Sequence, residues 1–133
     1  MIKKILIPIS GDDVAPRFDL AKEVVIIFLS GNNMIEEQRT FVLQETSAEK
    51  LCHFILKENI HILICGAIEE EFYQFLKWKK VTMYDFVIST WERAFKCCIE
   101  GSLKPGAILY ERHLRDGLYD KDDGNKKLRN MIN

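Results

Sequence analysis

The sequence has no long hydrophobic run, no Cys-x-x-Cys pair and no excess of charge of one sign. Its longest apolar run, Val24 to Leu29, is far too short to cross a bilayer, and the first residues do not read as a signal peptide. The 19 Lys and Arg residues nearly balance the 20 Asp and Glu residues, which leaves a formal net charge of −1. We therefore expect a cytoplasmic protein that binds neither a membrane nor nucleic acid.

The length and composition predict one folded domain. The 133 residues are 47% hydrophobic and 29% charged, which is typical of globular proteins. A chain of this size buries enough core to fold without disulfides, so the four cysteines are expected to be reduced. Beyond Pro105 and Gly106 the sequence turns polar. We predict a domain of residues 1–110 followed by a polar, flexible tail of residues 111–133.

Hydrophobic patterning predicts an α/β fold with a five-stranded mixed sheet and three helices. Apolar runs predict strands at residues 4–9, 24–30, 34–43, 60–65 and 81–88, and helical periodicity predicts helices at about residues 47–58, 69–76 and 91–100. The first three strands form a meander, in which Gly31 helps to close a hairpin. The later helices and strands alternate, which is typical of parallel crossovers.

Three short signals predict helix ends. Thr46 and Glu49 have the spacing of a capping box at the start of the first helix. Asn59 can adopt the left-handed conformation that ends the same helix. Thr90 is predicted to cap the third helix.

The predicted sheet brings two polar segments to one edge. If the first and fourth strands are parallel neighbours, then the loop from Ser10 to Asp19 and the turn that begins with Cys65 both follow the carboxyl ends of strands, where ligands of open α/β sheets bind. Cys65 would offer a soft sulfur ligand, and Gly66 would allow close approach of a ligand or of another backbone segment. The alternative interpretation of Cys65 is a buried core thiol.

Other kinds of site lack support in the sequence. Glu69, Glu70 and Glu71 open the second helix and would repel a phosphate there. No His and Cys residues have zinc-site spacing, and no serine or threonine has an evident base. A metal-dependent nuclease needs clustered carboxylates, including one on the first strand, and that strand has none. We therefore expect a protein that is not an enzyme.

Several segments, taken in order, resemble the dinitrogenase iron-molybdenum cofactor biosynthesis family. The resemblance covers roughly residues 3–109. It rests on the strand that ends Ile7-Pro8-Ile9, on the bend Val14-Ala15-Pro16-Arg17-Phe18-Asp19, on Cys65-Gly66-Ala67-Ile68, and on Glu100-Gly101-Ser102-Leu103 after the third helix. It implies a ribonuclease-H-like three-layer fold and a role in nitrogen fixation. It also implies cofactor-assembly proteins as partners.

The resemblance implies that the chain carries a cofactor without converting it. The leading hypothesis is a non-enzymatic accessory protein that binds an iron-sulfur or iron-molybdenum-type cluster, with Cys65 as the metal ligand. Ser10 and Gly66 would line the site, Arg17 would pair with an anionic cluster, and Phe18 would pack the loop onto the sheet. The alternative is a protein-interaction or regulatory module that has lost the cofactor, because residues 40–50 contain no His or Cys where some relatives have ligands.

Overall fold

A computed structural model of the chain describes residues 2–110. The predicted tail, residues 111–133, lies outside the described residues. The described part forms six strands and three α-helices: β1 (Lys3–Ser10), β2 (Asp13–Val14), β3 (Glu23–Leu29), β4 (Ile35–Val42), α1 (Ala48–Lys57), β5 (Ile62–Ile64), α2 (Glu70–Trp78), β6 (Thr82–Tyr84) and α3 (Trp91–Ile99). In this part of the chain no helix is both long enough and apolar enough to span a bilayer.

The strands form one open mixed sheet in the order β4-β3-β1-β5-β6, and β2 pairs with the end of β1. The pairs β1–β3 and β3–β4 are antiparallel, whereas β1–β5 and β5–β6 are parallel. The predicted meander and the parallel pairing of the first strand with the strand before Cys65 are therefore confirmed. The predicted count of five strands is wrong by one, because Asp13 and Val14 fold back onto Ser10 and Ile9.

The helices lie on both faces of the sheet, so the core has two parts. On one face, Leu6 and Ile26 pack with the buried sides of α1 and α2, including Ile55 and Leu76. On the other face, Ile5, Ile7 and Ile27 pack with Ala94 and Phe95 of α3. Alternate residues of one strand supply the two parts of the core, because successive side chains of a strand point to opposite faces. Burial on both faces explains why β1 and β3 read as continuous apolar runs.

The helix ends confirm two of the three predicted signals. Asn59 has a φ of 58° just beyond α1, and the Thr90 side chain accepts a hydrogen bond from the backbone N–H of Arg93 at 3.3 Å. The predicted capping box at Thr46 is wrong by one residue. Ser47 caps α1 instead, and its Oγ accepts from the N–H of Lys50 at 3.2 Å.

Candidate functional site

The loop after β1 packs directly on the turn after β5. The N–H of Phe18 donates to the carbonyl oxygen of Ala67 at 2.8 Å, and the N–H of Ala67 donates to that of Pro16 at 2.8 Å. A methyl group at Gly66 would overlap the carbonyl oxygens of Ala15 and Pro16. Only glycine therefore fits the turn as it stands, and the backbone that approaches Gly66 belongs to this loop. The two segments meet at the carboxyl ends of β1 and β5, as the sequence predicts.

Cys65 does not open onto this edge. Its side chain is 0% exposed and lies in the core cluster with Leu63 and Cys52, on the face covered by α1 and α2. Burial raises the pKa of the Cys65 thiol far above its usual value, and the negative charge of Asp85 adds to this effect. Cys65 is therefore a neutral thiol that solvent does not reach in this structure. The placement matches the alternative interpretation of Cys65 as a core residue.

Phe18 and Arg17 lie on opposite sides of the loop. The ring of Phe18 is 1% exposed and packs in the same core cluster, which confirms that it fixes the loop to the sheet. Arg17 is exposed and donates two hydrogen bonds to Asp19, from Nε to Oδ1 at 3.0 Å and from Nη2 to Oδ2 at 2.6 Å. These hydrogen bonds raise the pKa of Arg17 and lower that of Asp19. Asp19 therefore already neutralises much of the positive charge of Arg17 that would attract an anionic ligand.

Two cavities flank the loop. Ser10 and Arg17 line a cavity of about 620 Å³ that extends to Val42. Gly66 lines a separate cavity of about 330 Å³, and Pro16 borders both. The structure therefore places two of the five predicted site residues in one cavity, a third in another, and the remaining two, Cys65 and Phe18, in the core.

The smaller cavity contains a feature that the sequence did not reveal. Phe86 lines this cavity with 54% of the residue exposed, and its φ is 57°. Residues with a Cβ avoid this left-handed region, which costs roughly 1–2 kcal/mol. The backbone holds Phe86 there, because its N–H donates to the carbonyl oxygen of Gly66 at 3.0 Å and the next N–H, of Val87, donates to that of Cys65 at 3.1 Å. No local sequence signal predicts a positive φ at a phenylalanine.

Two more exposed residues with large apolar groups line the same cavity as Phe86. Ile88 and Tyr110 also line the cavity, and both are about half exposed. The hydroxyl of Tyr110 donates to Oδ1 of Asp13 at 2.6 Å and thereby fixes the phenol ring beside β2. The result is a ring of exposed apolar groups around a small cavity, which we call the Phe86 rim and define as Phe86, Ile88 and Tyr110. Such exposed apolar groups beside a cavity are typical of binding surfaces.

The described residues do not fit a cysteine-ligated cluster at this edge. Cys52 is also buried, and burial raises its pKa to about 11. Cys97 and Cys98 pack on the other face of the sheet, against the α3 core. Within residues 2–110 no three His, Cys, Asp or Glu side chains come together in a way that could hold a metal ion. An iron-sulfur cluster needs accessible thiolates, and the predicted site offers none.

Comparison with solved structures finds proteins of similar fold, and two of them have nitrogenase-related names. A "putative dinitrogenase" from Methanocaldococcus jannaschii is 25% identical, with a TM-score of 0.64 over 78% of this chain and 94% of that one. A "putative NifB protein" from Thermotoga is 18% identical, with a TM-score of 0.61 over 83% of this chain and 99% of that one. No family model matches the sequence, and a comparison with curated proteins finds no significant match.

Proposed function

We propose that this protein is a non-enzymatic accessory protein of nitrogen fixation, which acts by binding a cofactor-assembly protein. The fold supports the general role, because the chain covers 94–99% of two proteins with nitrogenase-related names. A carrier of a cluster on Cys65 would need an open thiolate, and that thiol is 0% exposed. The interaction module therefore fits this chain better than a cysteine-ligated carrier does.

The observation that carries the proposal is the exposed, strained Phe86. A left-handed phenylalanine persists only where the surrounding structure holds it, and such strain is concentrated at functional sites. Here the residue with the strained φ has a large exposed ring, which lines the same cavity as Gly66 at the sheet edge where α/β proteins bind their ligands. Aromatic side chains are frequent energetic centres of protein interfaces. We therefore assign the Phe86 rim as the contact surface for an apolar side chain of the partner.

A binding measurement tests the proposal. Purified cofactor-assembly proteins from the same organism would be titrated against the wild type, Phe86→Ala and Trp78→Ala by biolayer interferometry. Trp78 is the matched control, since it is 71% exposed but lies at the far end of α2. We expect Phe86→Ala to weaken one of these complexes at least tenfold, as is common for an interface centre, and Trp78→Ala to leave it unchanged. Equal loss in both variants, or no complex with any assembly protein, would refute the proposal.

The second candidate is the carrier, and the cavity that holds Ser10 and Arg17 is the observation in its favour. This cavity is large enough for a small anionic cargo, and its wall carries two cations, Arg17 and Lys22, beside the acidic Glu23. Anaerobic reconstitution with iron and sulfide separates the two candidates, with wild type, Cys65→Ala and Arg17→Ala compared by absorbance and iron content. The interaction module predicts no retained iron in any of the three. Iron retained by the wild type and lost in Arg17→Ala or in Cys65→Ala would favour the carrier.

A further inference from the structure

The outer edge of β4 has no partner strand within residues 2–110. β4 lies at one edge of the sheet and is eight residues long. All of its residues are exposed except Phe41, which is half-buried. Ile35 is 54% exposed and Val42 is 74% exposed. A long exposed edge with apolar residues offers free amide and carbonyl groups to another strand. This edge is separate from the Phe86 rim.

The hydrogen-bond pattern fixes which residues of β4 face outward. The N–H of Leu43 donates to the carbonyl oxygen of Lys22 at 2.7 Å, which continues the antiparallel β3–β4 ladder. Hydrogen-bonded residues alternate along such a ladder. The backbone groups of Glu37 and Arg39 therefore point towards β3, and those of Gln38 and Thr40 point away from the sheet.

We propose that β4 pairs antiparallel with β4 of a second copy of this chain, in the register that places Gln38 opposite Gln38. The two outward-facing Gln38 residues would then exchange both backbone hydrogen bonds. Glu37 of each copy lies opposite Arg39 of the other, at the non-hydrogen-bonded positions where side chains approach most closely. Glu37 and Arg39 already share one face and form an ion pair within the chain. The dimer would extend this pair into a two-by-two cluster of four charges, in which each charge has neighbours of opposite sign along and across the strands.

Charge complementarity selects this register over its neighbours. Only registers that match outward-facing residues with one another can form the backbone bonds. A shift in one direction places Arg39 opposite Arg39, and a shift in the other places Glu37 opposite Glu37. Like charges directly opposite each other destabilise strand pairing. The register centred on Thr40 avoids repulsion but forms no ion pair, since Arg39 then faces Phe41.

The ends of the strand add apolar contact. The chosen register brings Ile35 of one copy towards Phe41 of the other. A bulge between Phe28 and Leu29 shifts the pairing of Ile35, so the central residues from Glu37 to Arg39 carry the specificity. One strand from each copy forms a small interface, below the usual size of a permanent dimer. The dimer should therefore form reversibly and in proportion to concentration.

Sedimentation measurements over a range of concentrations test the pairing. We expect the wild-type full chain to shift from monomer to dimer. Glu37→Arg and Arg39→Glu should each lower the association constant about tenfold or more, because each places two like-charged pairs across the interface. Thermal unfolding of both variants checks that they fold, since both substitutions lie at exposed positions.

Mixing the two single variants gives the decisive result. One chain then carries two arginines and the other two glutamates, so only the mixed dimer has complementary charges. We expect the mixture to recover the association that each variant alone has lost. A wild type that stays monomeric throughout, or variants that associate as well as the wild type, would overturn the proposal. A mixture no better than its components would also overturn it, because the intrachain ion pair is absent from both.

Discussion

The backbone N–H of Phe86 donates to the carbonyl oxygen of Gly66 at 3.0 Å. This bond joins two residues whose backbone environments are unusual. Gly66 has no room for a Cβ, and Phe86 has a Cβ in a conformation that disfavours one. Each position constrains the other, because the turn that brings Gly66 against the Pro16 loop also holds Phe86 at its positive φ. The first two predictions follow from this relationship.

Two substitutions of Phe86 should distinguish the energetic cost of its positive φ from the contribution of its aromatic ring. Phe86→Gly removes both, whereas Phe86→Ala removes the ring and keeps the strained φ. We expect the glycine variant to be more stable than the alanine variant by about 1 kcal/mol, since relief of strain outweighs the added freedom of the unfolded chain. Urea unfolding followed by circular dichroism measures the difference. Equal stability, or a more stable alanine variant, would show that φ at residue 86 is not positive.

Gly66→Ala should be strongly destabilising. The added methyl group meets the backbone carbonyls of Ala15 and Pro16, which cannot move without displacing the whole loop. We expect a loss of about 3 kcal/mol in the free energy of unfolding, at the upper end of the usual cost of overpacking. Gly31→Ala is the control, because nothing lies within 4 Å of its Cβ position and its φ is not positive. A comparable loss in both variants would contradict the close contact at Gly66.

Thiol labelling should report the burial of Cys65 directly. The thiolate is the reactive form, and burial raises the pKa of both Cys65 and Cys52. We expect iodoacetamide at pH 8 to modify Cys65 at least tenfold more slowly than the half-buried Cys97, with peptides quantified by mass spectrometry. Labelling in urea provides the control, since all sites should react at similar rates there. Rapid native labelling of Cys65 would reopen the carrier hypothesis.

The ion pair between Arg17 and Asp19 should make stability depend on acid pH. The hydrogen bonds from Arg17 lower the pKa of Asp19 in the folded state, so the unfolded state binds a proton more readily. This contribution is present above the ordinary pKa of an aspartate, near 4, and is lost as the pH falls through the lowered value. Asp19→Asn should therefore flatten the dependence of unfolding free energy on pH between about 5 and 2. An unchanged slope in that variant would show that the pair does not persist in solution.

The sequence predicted the main elements of the fold because burial on two faces leaves a clear pattern. The continuous apolar runs gave β1 and β3 correctly, and Asn59 and Thr90 marked helix ends that local chemistry alone determines. The two-residue strand Asp13–Val14 was missed, because two residues carry no periodicity. The Thr46 capping box was displaced by one, because Ser47 beside it is an equally good cap.

The candidate site was predictable in position and less so in detail. Strand order placed the Ser10–Asp19 loop beside Gly66, as found. The direction of the Cys65 side chain was not predictable, because a residue one position beyond a buried strand can face the core or solvent with equal ease. The positive φ of Phe86 could not be predicted from the sequence, because it depends on contacts with Gly66 that only the folded chain makes. The ribonuclease-H-like three-layer fold stays a prediction that the family resemblance implies.

The sheet also divides the cysteines into two pairs, with Cys52 and Cys65 on the α1 and α2 side and Cys97 and Cys98 on the α3 side. The side chains of the two pairs point to opposite faces of the sheet, whereas a disulfide needs Cα atoms within about 7 Å and Cβ atoms that point towards each other. A covalent cross-link within one chain between the two pairs is therefore impossible while the native layers are intact. Its detection in an aged or oxidised sample would serve as a built-in marker of molecules that have lost their native packing.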